Sequence, residues 1–318
     1  MSADPFAMER GNRSGIGLAL AAAAVSGGSV WLNGQVVTRV DTFGDPGTYT
    51  TAKNLVAGAL ILVVAVVATT TGSRQGLTRP TSRGHWVGLA VVALVGGALP
   101  FLLFFEGLAA SGAPADAQLV HKAGLLAFVA LLAPTVLRER LGSFQLAGVG
   151  GVLFGYWILS SDLGGLSLGR GLLLVLAASL CWSVESVINR WLLAELSPAT
   201  VAVARLSAGS LVLVAIGLIN GDTARLADLG AGAWGWVVLT GAVLAIYAAL
   251  WLYALANAAV LDVTAVLTLA APVTAIIAVV AEGSAVPNPV GLGVVACGAV
   301  VVALAASQRG ASSGAHTG

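Results

Sequence analysis

The stretch LVHKAGLLAFVALLAPTVLRERL, residues 119–141, decides how this chain is read. A His121-Lys122 pair is followed by fifteen residues without a charge, and then by Arg138-Glu139-Arg140. At a helical rise of 1.5 Å per residue, Lys122 stands about 24 Å from Arg138. That is most of a bilayer's hydrocarbon core, roughly 30 Å thick. The run reads as a membrane span with its charged cluster at a water-facing edge. Lys122, one of only two lysines in the chain with Lys53, then lies inside the span.

The rest of the 318 residues agrees with that reading. The chain is 58% hydrophobic and 9% charged, with a mean hydropathy of +0.95, where a soluble domain carries about a quarter charged residues. No basic tract points to nucleic acid. Cys181 and Cys297 both lie in apolar runs and form no metal-ligand pattern, so no metal or cofactor is expected. The 41 glycines suit helices that approach one another closely in lipid.

Ten stretches reach span length: 15–37, 50–71, 86–108, 114–136, 144–160, 171–193, 199–219, 232–254, 259–281 and 288–307. Arg10 and Arg13 precede the first as in a signal peptide, but so many spans follow that it is read as uncleaved. With the N-terminus cytoplasmic, nine arginines fall inside: Arg10, Arg13, Arg74, Arg79, Arg83, Arg138, Arg140, Arg190 and Arg309. Three fall outside: Arg39, Arg170 and Arg225. The excess of positive charge predicts both termini in the cytoplasm, with residues 1–14 and 308–318 as tails.

The two halves are copies. Shifted by 151 residues, Trp31 meets Trp182, Arg39 meets Arg190, Leu55 meets Leu206, and Ala57-Gly58 meets Ala208-Gly209. Residues 15–160 and 171–307 then hold five spans each. An odd number forces the second copy to enter the membrane upside down. Inverted repeats are typical of secondary transporters, whose substrate sites lie near the midplane between the halves. The expected fold class is an all-α polytopic membrane protein with ten transmembrane helices in two inverted five-helix repeats.

The ends of each repeat carry a resemblance. LRERLGSFQLAGVGGVLFG, ASLCWSVESVINRWLLAELSPATVAVARLSAG and LTLAAPVTAIIAVVAEGSAVPNPVGLGVVACGAVVV resemble the EamA family of ten-span permeases in the drug/metabolite transporter superfamily. The resemblance covers about residues 15 to 307, with departures. The second copy reads Glu282-Gly283-Ser284 where the first has Glu139-Arg140-Leu141, and Asn54 stands opposite Arg205. The family implies export of a small metabolite or amphipathic compound across the inner (plasma) membrane. Uptake is the alternative direction.

Ionisable residues inside a membrane must find partners or water, and so are candidates for function. With Glu106 about 30 Å along the third span, Lys53, Glu106, His121 and Lys122 form an expected outer charge cluster or gate. Lys53 reads as a snorkelling side chain near its span end. For Lys122 an ion pair with Glu106 competes with snorkelling. The expected substrate cavity comprises Trp31, Gln35, Trp182, Glu185, Asn189, Arg205, Trp251, Tyr253 and Asn257. Trp182, Glu185 and Asn189 share one helical stripe, as do Trp31 and Gln35, whereas Asn33 is off the latter. Glu185 reads either as a structural partner of Arg205 or as a substrate or proton-coupling group. Pro100, Pro134 and Pro272 each remove a backbone donor, and Pro272 is the candidate functional kink.

Three function classes compete. A secondary transporter takes a small-molecule substrate and the lipid bilayer as partners, with protons as candidate coupling ion and a homodimer among its allowed assemblies. An intramembrane enzyme finds no HExxH or Walker motif. GLSLG (165–169) and GASSG (310–314) fit Gly-x-Ser-x-Gly without the strand-turn-helix setting it requires. A scaffold or receptor has little loop surface to work with. The expectation is a transporter and not an enzyme.

Overall fold

The computed structural model describes residues 5–37, 43, 45–73, 75–111, 114–139, 141–161, 169–221, 223–284 and 288–312. Among them, ten helices are long and apolar enough to cross a membrane. They are α1 (Pro5–Val37), α2 (Pro46–Thr70), α3 (Arg83–Ser111), α4 (Pro114–Val136) and α5 (Ser143–Ser161). The second five are α6 (Arg170–Leu192), α7 (Pro198–Asn220), α8 (Ala231–Asn257), α9 (Val260–Glu282) and α10 (Pro289–Ser312). No strand occurs among the described residues, and the chain is an all-α, multi-pass membrane protein.

Most helix ends follow from local chemistry. α2 starts ahead of the expected residue 50 because Asp45 caps it, accepting from the Thr48 N–H at 2.8 Å, with Pro46 in the first turn. Residues 5–14, ahead of the expected span, are helical and continuous with α1. A nucleated helix gains one hydrogen bond per added residue, and no proline interrupts this stretch beyond Pro5. α7 and α9 end on Gly221 and Gly283 at φ 81° and 65°, the left-handed cap that glycine adopts without strain.

Helix pairing has a regular pattern. α1 packs on α8 and α9, α6 packs on α3 and α4, α2 packs on α7, and α5 packs on α10. Each of these pairings maps onto another, or onto itself, when every helix is exchanged with the one five places away, whereas the packing of α1 on α10 has no such counterpart between α6 and α5 among the described residues. Small residues allow the closest pairs. A Cβ on Gly148 would lie 2.8 Å from the Gly298 carbonyl oxygen, and one on Gly155 would lie 2.7 Å from the Val295 nitrogen. These two glycines therefore let α5 and α10 meet backbone to backbone, gaining dispersion contacts where lipid supplies no hydrophobic drive.

Two helices change winding at the centre. Val92–Gly96 of α3 and Val203–Ala208 of α7 are single π turns, and they pack against each other. Such bulges are rare and concentrate at functional sites. Here Gly97 is indispensable, since a Cβ on it would stand 1.8 Å from the Arg205 carbonyl oxygen. α9 is broken at Thr268-Leu269, one turn before Pro272.

Candidate functional site

Between the helices lies a cavity of about 120 Å³, lined from both halves of the chain. Small-molecule sites typically run to about 300–1,000 Å³, so this space is contracted. The first half contributes Ser26, Asn33, Lys53, Phe101, Phe104, Phe105, His121 and Lys122. The second contributes Trp182, Glu185, Ser186, Arg205, Tyr247, Trp251 and Thr264.

At its core Arg205 Nε meets Glu185 Oε1 at 2.6 Å, with side-chain exposures of 4% and 0%. Asn189, one turn along α6, donates Nδ2–H to the same oxygen at 3.1 Å. Gly96 makes room for the carboxylate, because a Cβ there would lie 2.2 Å from its carbon. The guanidinium carbon of Arg205 lies 4.9 Å from the Trp251 ring centroid and 5.7 Å from that of Phe101. Trp251 is itself stacked on Tyr247. Glu185 Oε2, Asn189 Oδ1 and Arg205 Nη1 are buried without a hydrogen-bond partner. Glu185 and Arg205 therefore form a buried ion pair, with polar capacity to spare.

Trp182 serves as a wall. Its indole Nε1–H donates to the Gly96 carbonyl oxygen at 3.2 Å. Pro100, four residues on, has no N–H to offer that oxygen. The same device appears in α9. Thr268, four residues before Pro272, receives the Tyr156 hydroxyl at 3.2 Å and the Ala271 N–H at 3.1 Å. Tyr156 thereby ties the carbonyl that Pro272 leaves without its helical donor to the neighbouring helix α5. Trp182 also meets Phe101, Phe104 and His121 with ring centroids at 5.4, 5.6 and 4.9 Å.

Neither lysine snorkels. Lys53 is 3% exposed and Lys122 8%. Lys53 Nζ lies 4.3 Å from the Phe105 centroid and 4.9 Å from that of Tyr49, and donates to Asn33 Oδ1 at 3.2 Å. Tyr49 donates its hydroxyl to the same Asn33 oxygen at 2.6 Å. Cation–π attraction replaces part of the lost hydration. Lys122 Nζ approaches Ser26 Oγ at 3.5 Å, and His121 Nδ1 shares a hydrogen bond of 3.0 Å with Ser179 Oγ.

The expected outer cluster is therefore divided: Lys53, His121 and Lys122 line the cavity together, and Glu106 stands apart from them. Phe101, Phe104, Phe105 and Leu108 form the buried stripe of α3, spaced by three and four residues. Glu106 falls off that stripe and is exposed. It lines a separate vestibule of about 590 Å³ with Asp45, Arg170 and Arg225. There Arg225 Nη1 bonds Asp45 Oδ2 at 2.8 Å, joining the two halves. Half-burial disfavours the charged form of Asp45. The Thr48 hydroxyl and N–H bonds and Arg225 outweigh it, holding the carboxyl below its ordinary value.

Four other expected cavity residues stand elsewhere. Trp31 and Gln35 do share a face, but that face meets Glu282, with Trp31 Nε1 to Glu282 Oε1 at 2.7 Å. Asn33, off that face, is the residue of α1 that reaches the cavity. Tyr253 is half-buried and Asn257 exposed at the end of α8, where Asn257 Nδ2 donates to the Tyr253 carbonyl at 2.7 Å. Sequence reasoning missed Tyr49, the three phenylalanines of FLLFF and the Asp262–Gln145 bond between two residues each about 1% exposed. The phenylalanines had a signal, their three-and-four spacing. Arg39, Arg140 and Ser167 lie outside the described residues.

The chain matches the EamA-like transporter family over residues 13–161 and again over 169–305. It is similar to a Bacillus subtilis (strain 168) protein named "Uncharacterized transporter YyaM", with 20% identity over 200 residues. That alignment covers 61% of this chain and 63% of the relative, so the chain spans under two thirds of that relative's length. A crystal structure described only as that of a protein superposes with a TM-score of 0.67 at 21% identity, covering 90% of this chain and 97% of the other. At that identity the likeness speaks for the fold alone.

Proposed function

This chain belongs to the EamA-like transporter family, and on that premise we propose that it is a secondary transporter working by alternating access. It exports a small metabolite or amphipathic compound across the inner (plasma) membrane, with both termini in the cytoplasm. The family and the relative's name point to transport and not to catalysis. The observation that carries the mechanism is a contracted central cavity whose walls come from both matched halves. A cavity so divided opens to one face or the other when the halves rock, as expected of inverted repeats. Proton coupling rests with Glu185 and His121, the carboxylate and imidazole that border the cavity.

The test is a metabolite-wide export screen on cells lacking or overproducing the protein, followed by reconstitution. Purified protein should move a compound found by the screen into or out of vesicles, faster under an opposing proton gradient. Movement inward only would reassign the direction to uptake. No flux of any screened solute would overturn the transport reading.

A further inference from the structure

We propose that the cavity binds an organic anion, a carboxylate on a flat unsaturated body, held by Lys53 and Lys122. This deepens the transport reading above and rests on it. Three cations border the cavity, Lys53, Lys122 and Arg205, against the single carboxylate of Glu185. Glu185 is already engaged by Arg205 at 2.6 Å and by Asn189 at 3.1 Å. Among the described residues no carboxylate oxygen lies within 4.0 Å of either lysine nitrogen. The contacts of Lys53 are one amide oxygen and three rings, and that of Lys122 is one hydroxyl.

A charge removed from water costs several kcal/mol unless it is compensated, and within a membrane such residues mark substrate or ion paths. Among the described residues the two lysine nitrogens border the cavity with no carboxylate beside them. An anionic solute supplies the counter-charge. A zwitterion leaves the surplus unchanged, and a cation adds to it. Glu185 Oε2 is unpartnered, but its carboxylate is neutralised by Arg205, so it accepts a neutral donor and does not reverse the balance. Arg205 Nη1 is buried and unpartnered, a further donor toward an anion. The shape of the ligand's body follows from the walls: Phe101, Phe104, Phe105 and Trp182 present ring edges and faces suited to a planar group.

The test uses the full-length protein in detergent and reads quenching of tryptophan fluorescence, since Trp182 and Trp251 line the cavity. Benzoate, phenylacetate and indole-3-acetate are titrated beside their primary amides, with phenylalanine and phenethylamine as zwitterion and cation. At least one acid is expected to bind about tenfold or more tightly than its amide. Lys53→Gln and Lys122→Gln should each shrink the ratio of acid to amide affinity, while Lys53→Arg and Lys122→Arg keep it. Because the comparison of acid with amide needs no variant, it stands even where a glutamine variant does not fold. Amides binding as well as acids, no binding by any acid, or phenylalanine or phenethylamine binding most tightly would each overturn the proposal. Vesicle flux separates the two readings. Flux of phenylalanine or phenethylamine without flux of any acid leaves transport standing and removes the anion; tight binding of an acid without flux of any solute does the reverse.

Discussion

Trp182 Nε1 donates at 3.2 Å to the carbonyl oxygen of Gly96, the group that Pro100 deprives of its helical donor. The indole is therefore both a cavity wall and a splice in the backbone of α3. Trp182→Phe keeps the ring and loses the donor, which should cost about 1–3 kcal/mol for an unmatched buried carbonyl. In a Pro100→Ala background the restored N–H should make the same change cheaper. A double-mutant cycle on thermal unfolding in detergent measures this coupling, and additive costs would refute it.

The Glu185–Arg205 pair should behave as a buried ion pair. Glu185→Ala or Arg205→Ala alone leaves one charge buried and uncompensated, expected to cost about 3–5 kcal/mol. Glu185→Gln with Arg205→Gln removes both charges and should recover most of that stability while transport stays lost. Full flux in the stable double variant would show the pair to be structural only.

Gly97→Ala would place a methyl group 1.8 Å from the Arg205 carbonyl oxygen, whereas Gly17→Ala meets nothing within 4 Å. The first should cost at least about 1–3 kcal/mol, as overpacking does, and lower the yield of folded protein. The second should leave the unfolding temperature unchanged.

The Asp45–Arg225 contact offers a pH test outside the spans. The carboxyl of Asp45 is held below its ordinary value of 3.8, so its stabilising effect is present above that pH and disappears as acid takes the pH through the lowered value. With the Arg225 side chain 56% exposed, the pair is worth at most about 1 kcal/mol. Asp45→Asn keeps a good helix cap and should cost no more than that, while Asp45→Ala should add roughly another 1 kcal/mol. Unfolding followed from pH 7 down to about pH 2 should show the acid-side loss below pH 3.8 in the parent and a smaller one in Asp45→Asn.

Orientation is tested by single cysteines in a variant lacking Cys181 and Cys297. Cysteine at exposed Ser82 should resist a membrane-impermeant maleimide in intact cells, and cysteine at Ser284 should react. The reverse pattern would invert the topology.

Much of the fold could be read from the chain because span length and charge balance are one-dimensional properties. Leu119 to Leu141 alone shows an apolar run of membrane thickness with an arginine cluster at its edge. Helical rotation is another matter. In a soluble helix polar residues mark the outer face, but here lipid and core are both apolar and the stripe loses its contrast. Glu106 and Lys122 share a depth range by counting, yet α3 turns Glu106 out toward Arg170 while α4 turns Lys122 in toward Ser26. Trp31 and Gln35 were rightly joined to one face, but nothing in the order of residues says that Glu282, 251 positions from Trp31, meets that face. The π turns went unseen because Val92–Gly96 and Val203–Ala208 contain no residue that enforces them.

One consequence attaches to Gly97 and Gly209. A Cβ on Gly209 would stand 2.7 Å from the Gly97 α-carbon, so α3 of one half and α7 of the other touch through bare main chain. Side chains at an interface can change rotamer and let two bodies slide. Main chain cannot. Under the rocking proposed above, this point would move least and the crossing would act as a fulcrum.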